Sequence, residues 1–122
     1  MVNFIFVAMG GAVGAMLRYA ISLIPVKTDF PVLTLITNIM GAVLIGFVVG
    51  MASIRQETSQ HLILFLKVGV CGGFTTFSTF SLEAMRLFEQ NKIGMGIVYV
   101  VASVVCSITG VLVGQGIAQK VF

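Results

Sequence analysis

The chain has 122 residues, of which 58% are hydrophobic and 9% are charged, and its mean hydropathy is +1.12. A chain this apolar could not stay soluble as a monomer, so the composition indicates an integral membrane protein. The net charge of +3 comes from dispersed basic residues that form no basic patch, which argues against a nucleic-acid partner. Cys71 and Cys106 lie in apolar runs without the spacing of a disulfide or metal site, and His61 stands alone beside a polar turn.

Four apolar segments are long enough to cross a bilayer, at approximately residues 3–24, 32–54, 62–87 and 93–119. Short polar breaks at residues 25–31, 55–60 and 89–92 separate them. The first segment has no basic n-region and no convincing cleavage site, so we interpret it as a helix and not as a signal peptide. The pattern predicts an all-α membrane protein in which residues 1–122 form a single domain of four transmembrane helices.

The third predicted helix contains the stretch "GGFTTFSTF", residues 72–80. Adjacent glycines followed by hydroxyl residues among phenylalanines are poor material for a helix in lipid. Irregular backbone at bilayer depth is tolerated only where protein or a bound ion satisfies its polar groups. The stretch therefore predicts that the third helix is broken.

Polar residues recur at helical spacing in two other segments. Thr34 and Asn38 share one face of the second predicted helix, with Thr37 turned away, and Tyr99, Ser103 and Ser107 share one face of the fourth. A single hydroxyl ordinarily bonds back to a carbonyl of its own helix, whereas aligned hydroxyls and an asparagine also suit a polar pathway. Both interpretations are open on the pattern alone.

Hydrogen-bond donors dominate these stripes. The only ionisable residues near them are Lys67 and Glu83, toward the membrane faces, so no proton carrier or ring of charges is evident. Hydroxyl, amide and phenol groups donate to anions, and the edges of the Phe77 and Phe80 rings carry the positive part of the ring quadrupole. A pathway built from these groups would suit a small anion.

The positive charges of the loops are almost balanced between the two faces, at about three against four. Such a balance is typical of a chain that inserts in both orientations, and two oppositely inserted copies would form an antiparallel homodimer. Eight helices surround a polar pathway more easily than four. Three Gly-x-x-x-Gly pairs, at residues 10/14, 46/50 and 110/114, favour close helix packing.

Three stretches, "GGAVGAMLRY" (10–19), "TLITN" (34–38) and "GGFTTFSTFSLE" (72–83), occur in the same order as in the Fluc (CrcB) fluoride channels, which this chain resembles over essentially its whole length. The third stretch is the most specific of them. The resemblance implies an antiparallel, dual-topology homodimer with two fluoride pores and a structural sodium ion at the dimer interface. It also implies a non-enzymatic function in the inner (plasma) membrane: passive export of fluoride, which protects the cell from fluoride toxicity.

The resemblance also implies roles for individual residues. Phe77 and Phe80 are expected to line the ion path beside the Asn38 amide. Neighbouring polar contacts are expected from Thr34, Ser78 and Thr79, a hydroxyl track from Tyr99, Ser103 and Ser107, and a vestibule residue from Arg18. The backbone carbonyls of Gly72 and Thr75 are expected to bind the sodium ion.

Two other functions also fit parts of the pattern, those of a multidrug exporter and of a structural membrane protein. A small four-helix multidrug exporter would need a membrane carboxylate for proton coupling, and the first predicted helix has none. A structural membrane protein without transport activity would explain the glycine pairs but not the broken helix or the polar stripes. A flux assay separates the three functions.

Overall fold

The computed structural model describes residues 1–122 and contains helices and no strands. Four helices are long and apolar enough to cross a membrane: α1 (Val2–Ser22), α2 (Val32–Ile54), α3 (Gln60–Glu89) and α4 (Ile93–Val121). The four-helix prediction is confirmed. The predicted span 32–54 has the bounds of α2, whereas α1 ends two residues before its predicted end and α4 continues two residues beyond its own.

Short turns join the helices. α3 ends where Asn91 adopts a left-handed conformation with φ of 62°. The amides of Asn91 and Lys92 then donate to the carbonyls of Phe88 and Leu87, which is a Schellman arrangement with asparagine in the place of glycine. The Lys92 ammonium also donates to Asp29 Oδ2 at 2.6 Å, so the loop after α1 is tied to the beginning of α4.

The helices pack as two close pairs, α1 with α3 and α2 with α4, in which backbones touch at glycines. A Cβ atom on Gly10 would lie 2.8 Å from Gly69 Cα, and one on Gly114 would lie 2.7 Å from the Phe47 amide nitrogen. Lipid offers no hydrophobic drive for helix association, so this close approach maximises van der Waals contact instead. These contacts place α3 against α1 and leave α2 and α4 on its other side.

The break in α3 lies at two threonines. The first part, α3a (residues 60–74), includes a π-helical segment at Leu64–Cys71 and ends at Phe74. Thr75 and Thr76 are extended, with ψ of 159° and 123°, and the second part, α3b (Phe77–Glu89), follows. The sequence predicted a break within residues 72–80, and the structure places it at the two threonines, whereas Gly72 and Gly73 are helical. Close packing requires a glycine at position 73, because a Cβ there would lie 3.1 Å from Gly11 Cα.

A small aromatic core closes the bundle at the α3b end. The Tyr99 side chain is fully buried, with its ring 5.6 Å from Phe30 and 5.2 Å from Phe80 between centroids. Ala84 and Leu87 of α3b complete this cluster. The core holds α3b against α4 and thereby fixes the direction in which the chain leaves the break.

Gly10→Ala should destabilise the protein, because the new Cβ would meet the Phe65 carbonyl oxygen and the backbone of Gly69 and Val70. Overpacking of this kind costs about 1–3 kcal/mol. Gly11→Ala is the matched control, since its Cβ meets nothing within 4 Å and alanine favours the helix. Thermal unfolding in detergent would compare the variants. Equal stability of both would contradict the proposed close contact.

Candidate functional site

A two-bond bridge spans the break in α3. The Thr76 amide donates to Asn38 Oδ1 at 2.8 Å, and Asn38 Nδ2 donates to the Thr76 carbonyl at 3.1 Å. The asparagine thus pairs with the exposed backbone as a neighbouring strand would, which satisfies both polar groups of an extended residue at bilayer depth. One of the two Nδ2 hydrogens is used in this bridge, so the amide has one further hydrogen to donate.

Arg18 supports the break from the other side. Its Nε donates to the Gly73 carbonyl at 3.1 Å, whose partner in a continuous helix would be the amide of Phe77. Thr76 Oγ1 accepts from the Thr79 amide at 3.2 Å and so caps α3b. Side chains from α1, α2 and the break itself therefore replace the missing helical hydrogen bonds.

Unlike the Gly73 carbonyl, the carbonyls of Gly72 and Thr75 have no side-chain donor. In a continuous helix they would accept from the amides of Thr76 and Thr79, but these amides donate to the side chains of Asn38 and Thr76. No side chain donates to either carbonyl. Gly72 is exposed and Thr75 half-buried. Two unpaired carbonyl oxygens on one side of a broken helix can bind a cation or an external donor.

A groove of about 460 Å³ runs along α2, α3 and α4 and opens to the outside of the bundle. Five of the predicted pore residues line it: Asn38, Phe77, Phe80, Ser103 and Ser107. Gly72 and Thr75 line it as well. The structure therefore brings the central predicted residues of α2, α3b and α4 to one surface, next to the break.

Two features of the groove are notable. The Ser103 side chain is only 7% exposed, and its Oγ has no hydrogen-bond partner, although a serine in a helix can usually bond back to its own backbone. Phe77 is 80% exposed and its ring lies 5.6 Å from that of Phe80. An unpaired buried donor costs free energy, so a ligand accepting from Ser103 would be favoured.

The other predicted residues lie elsewhere. Tyr99 is buried behind Phe80, outside the lining of the groove, and donates to Glu83 Oε1 at 3.3 Å. Ser78 is exposed, with its Oγ 3.5 Å from Thr76 Oγ1. Arg18, Thr34 and Thr79 line a separate polar pocket of about 60 Å³.

This polar pocket corrects one prediction. Thr37, interpreted from the sequence as turned away from Thr34, lines the pocket beside it and is 3% exposed, whereas Asn38 lines the groove. Residues three apart are helix neighbours just as residues four apart are, so Thr34 had two possible partners and the sequence did not distinguish them. Thr76 lines both cavities; its position in the "TTFST" run was the available signal for its capping role.

The fold and the groove together define a multi-pass membrane protein with an interrupted helix beside a surface groove, which a few hydroxyl and amide side chains line. The family model described as CrcB-like protein, Camphor Resistance (CrcB), matches residues 5–115. The chain belongs to this family, which confirms the resemblance found in the sequence. Membership also confirms the predicted multi-pass location in the cell membrane and the prediction that the protein is not an enzyme.

Several similar proteins are named as channels. The chain is 42% identical to the "Fluoride-specific ion channel FluC" of Agrobacterium fabrum over 125 residues, which cover 100% of each chain. It is 43% identical to the protein of that name from Ruminiclostridium cellulolyticum, covering 99% of this chain and 95% of the relative. The Clostridium perfringens protein of that name is 40% identical, over 97% and 94%.

Asn38→Leu should destabilise the protein, because a side chain of similar size removes both hydrogen bonds to Thr76 and leaves an amide and a carbonyl unpaired. Each unpaired group costs about 1–3 kcal/mol. Asn38→Asp should be intermediate, since Oδ1 can still accept from the amide but the second oxygen opposes the Thr76 carbonyl. Thr109→Ala is the control, because this exposed hydroxyl bonds only to the Val105 carbonyl. Thermal unfolding in detergent should give the lowest midpoint for Asn38→Leu, an intermediate one for Asn38→Asp, and one close to that of the unmodified protein for Thr109→Ala.

Proposed function

We propose that the protein is a fluoride-selective channel that lets fluoride leave the cell passively. The observation that carries this proposal is the groove, in which the Ser103 hydroxyl, the Asn38 amide and the Phe77 and Phe80 rings line one surface. The names of the similar proteins support it. Fluoride holds its water strongly, so a pore must replace that water with several close donors. The Ser103 hydroxyl, which has no partner, and the free Asn38 hydrogen are such donors.

The same groove disfavours a proton-coupled exporter. No acidic side chain lines it, and such an exporter uses membrane carboxylates to carry protons. Fluoride export needs no coupling, because the membrane potential of a cell, negative inside, drives a monovalent anion outward by about 2.3 kcal/mol per 100 mV. Polar side chains around this path would come from five further residues: Tyr99, Thr34, Ser78, Thr79 and Arg18. Tyr99 lies behind Phe80, and Arg18 lines the polar pocket.

A second copy of the chain would complete the pathway. The groove is open, and Phe77, Asn38 and the Gly72 carbonyl would face lipid at bilayer depth if nothing covered them, which is costly for the polar groups. The balanced loop charges suit a partner inserted in the opposite orientation. An antiparallel homodimer of this kind would show carboxyl-terminal reporter fusions on both faces of the membrane, and a single orientation would contradict it.

A sodium ion would occupy the dimer interface. The carbonyls of Gly72 and Thr75 lack their helical partners, and two copies would supply four such oxygens. No group of three His, Cys, Asp or Glu side chains comes together in the chain, so backbone oxygens are the available ligands. A monovalent cation would offset the cost of leaving these carbonyls unpaired.

Flux from proteoliposomes tests the channel. With a potassium ionophore clamping the voltage, trapped fluoride should leave rapidly and chloride far more slowly. Ser103→Ala removes an unpaired donor and should slow fluoride release by about tenfold, while Thr109→Ala, outside the groove, should not. Comparable chloride and fluoride rates in the unmodified protein would contradict selectivity, and an unchanged rate in Ser103→Ala would remove this hydroxyl from the path.

Exchange of sodium for a large organic cation tests the interface. Fluoride flux and the dimer fraction should both fall and should return when sodium is restored. Gly72→Leu provides a sharper test, because a Cβ there meets nothing within 4 Å in its own chain. The added Cβ could clash only with a partner or a bound ion, so the dimer fraction should fall. Gly94→Leu, equally unobstructed, is the control, and indifference of the dimer both to sodium and to Gly72→Leu would contradict the proposal.

A further inference from the structure

One charged side chain lines the groove, and it belongs to Lys67. We propose that the Lys67 ammonium is an anion-recruiting site at one mouth of the conduction path, where it binds small monovalent anions before they reach the donors of α4. This inference rests on the proposed channel function, and it gives a role to a residue that the sequence patterns placed near the polar stripes without assigning it a function.

Lys67 lies about two turns into α3, toward the membrane face at which this helix begins. It is about 10 Å along the helix axis from Gln60, at about 1.5 Å per residue. Ile45, which lines the same end of the groove, lies about 13 Å before the end of α2 at Ile54. A lysine at this depth needs water, a counter-charge or an anion. The open groove at this end would admit the water or the anion that the ammonium needs.

Lys67 has no counter-charge in its own chain. The ion pair of the protein joins Lys92 to Asp29, and no carboxylate lines the groove. The nearest acidic residue in α3 is Glu83, which lies beyond the break, in α3b. The ammonium keeps its three donors and its full attraction for an anion.

Lys67 lies at one end of the groove, and the predicted pore residues extend from it toward the other end. Lys67, Cys71 and Thr75 recur four residues apart and face the groove together. α2 and α4 run parallel to one another, since Gly46 meets Val111 and Gly50 meets Ala118, and α3 runs against both. Lys67 accordingly lies at the Ile45 and Val111 end, and Phe80 at the other end, with Ser107 and Ser103 between them.

An unpaired positive charge at this end would raise the local concentration of anions. Low-dielectric walls on both sides focus its field into the groove, which increases the rate at which anions enter. Salt shortens the Debye length from about 30 Å at 0.01 M to about 3 Å at 1 M, so the effect must weaken with ionic strength. A residue that only packed against lipid or fixed the fold would not show this salt dependence.

Initial rates of fluoride efflux at low fluoride concentration test the proposal, with potassium gluconate setting the ionic strength. Lys67→Met should slow efflux about fivefold at 10 mM salt, and the difference should nearly disappear at about 0.5 M. Lys67→Arg keeps the charge and should retain the rate. Lys120→Met removes an exposed charge at the end of α4 on the same membrane face and should change little.

Each other outcome overturns the proposal. A Lys67→Met rate equal to that of the unmodified protein at low salt would show that the charge does not recruit anions. An equal slowing at both ionic strengths would assign Lys67 a structural role, and lowered thermal stability with an unchanged rate would assign it to the lipid headgroups. Lys67→Gln provides a second neutral side chain should Lys67→Met not yield a dimer. Absence of fluoride flux in the unmodified protein would instead overturn the channel function.

Discussion

The structure depends on one constraint: no backbone amide or carbonyl at bilayer depth can be left without a partner, because lipid supplies none. α3 is interrupted at Thr75 and Thr76, and side chains of neighbouring helices replace some of the hydrogen bonds that are lost there. Asn38 pairs with both polar groups of Thr76, and Arg18 donates to the Gly73 carbonyl. Helices α1 and α2 are thus bound to α3 by hydrogen bonds as well as by contact.

This arrangement separates the carbonyls of the break into two kinds. Those of Gly73 and Thr76 are satisfied by side chains of the same chain, whereas those of Gly72 and Thr75, two residues that line the groove, have lost their helical partners. A broken helix within an otherwise well-bonded bundle is costly unless something outside the chain binds these two oxygens. The break therefore carries a cost that the chain itself does not offset, and this cost is what supports the proposed interface.

The groove has the same incomplete character. The Ser103 hydroxyl and the Asn38 amide offer hydrogen-bond donors to it, its one charged residue is positive, and it is open toward the outside of the bundle. The largely exposed Phe77 ring and the unpaired Ser103 hydroxyl lie where an anion and a second copy would meet. The close glycine contacts of α1 with α3a, and of α2 with α4, fix the relative positions of the helices that line this surface.

The sequence by itself determined the membrane location, the four helices and the presence of a break within residues 72–80, because hydropathy and helix-breaking composition are local properties. It also indicated that hydrogen-bond donors dominate the polar stripes. The tertiary structure decided the rest. The break lies at the threonines and not at Gly72 and Gly73, because Asn38 and the Thr76 hydroxyl were available to cap it. Tyr99 does not line the groove with Ser103 and Ser107, because its ring packs between Phe30 and Phe80. Helical periodicity tells which residues share a face, but only packing decides what that face meets.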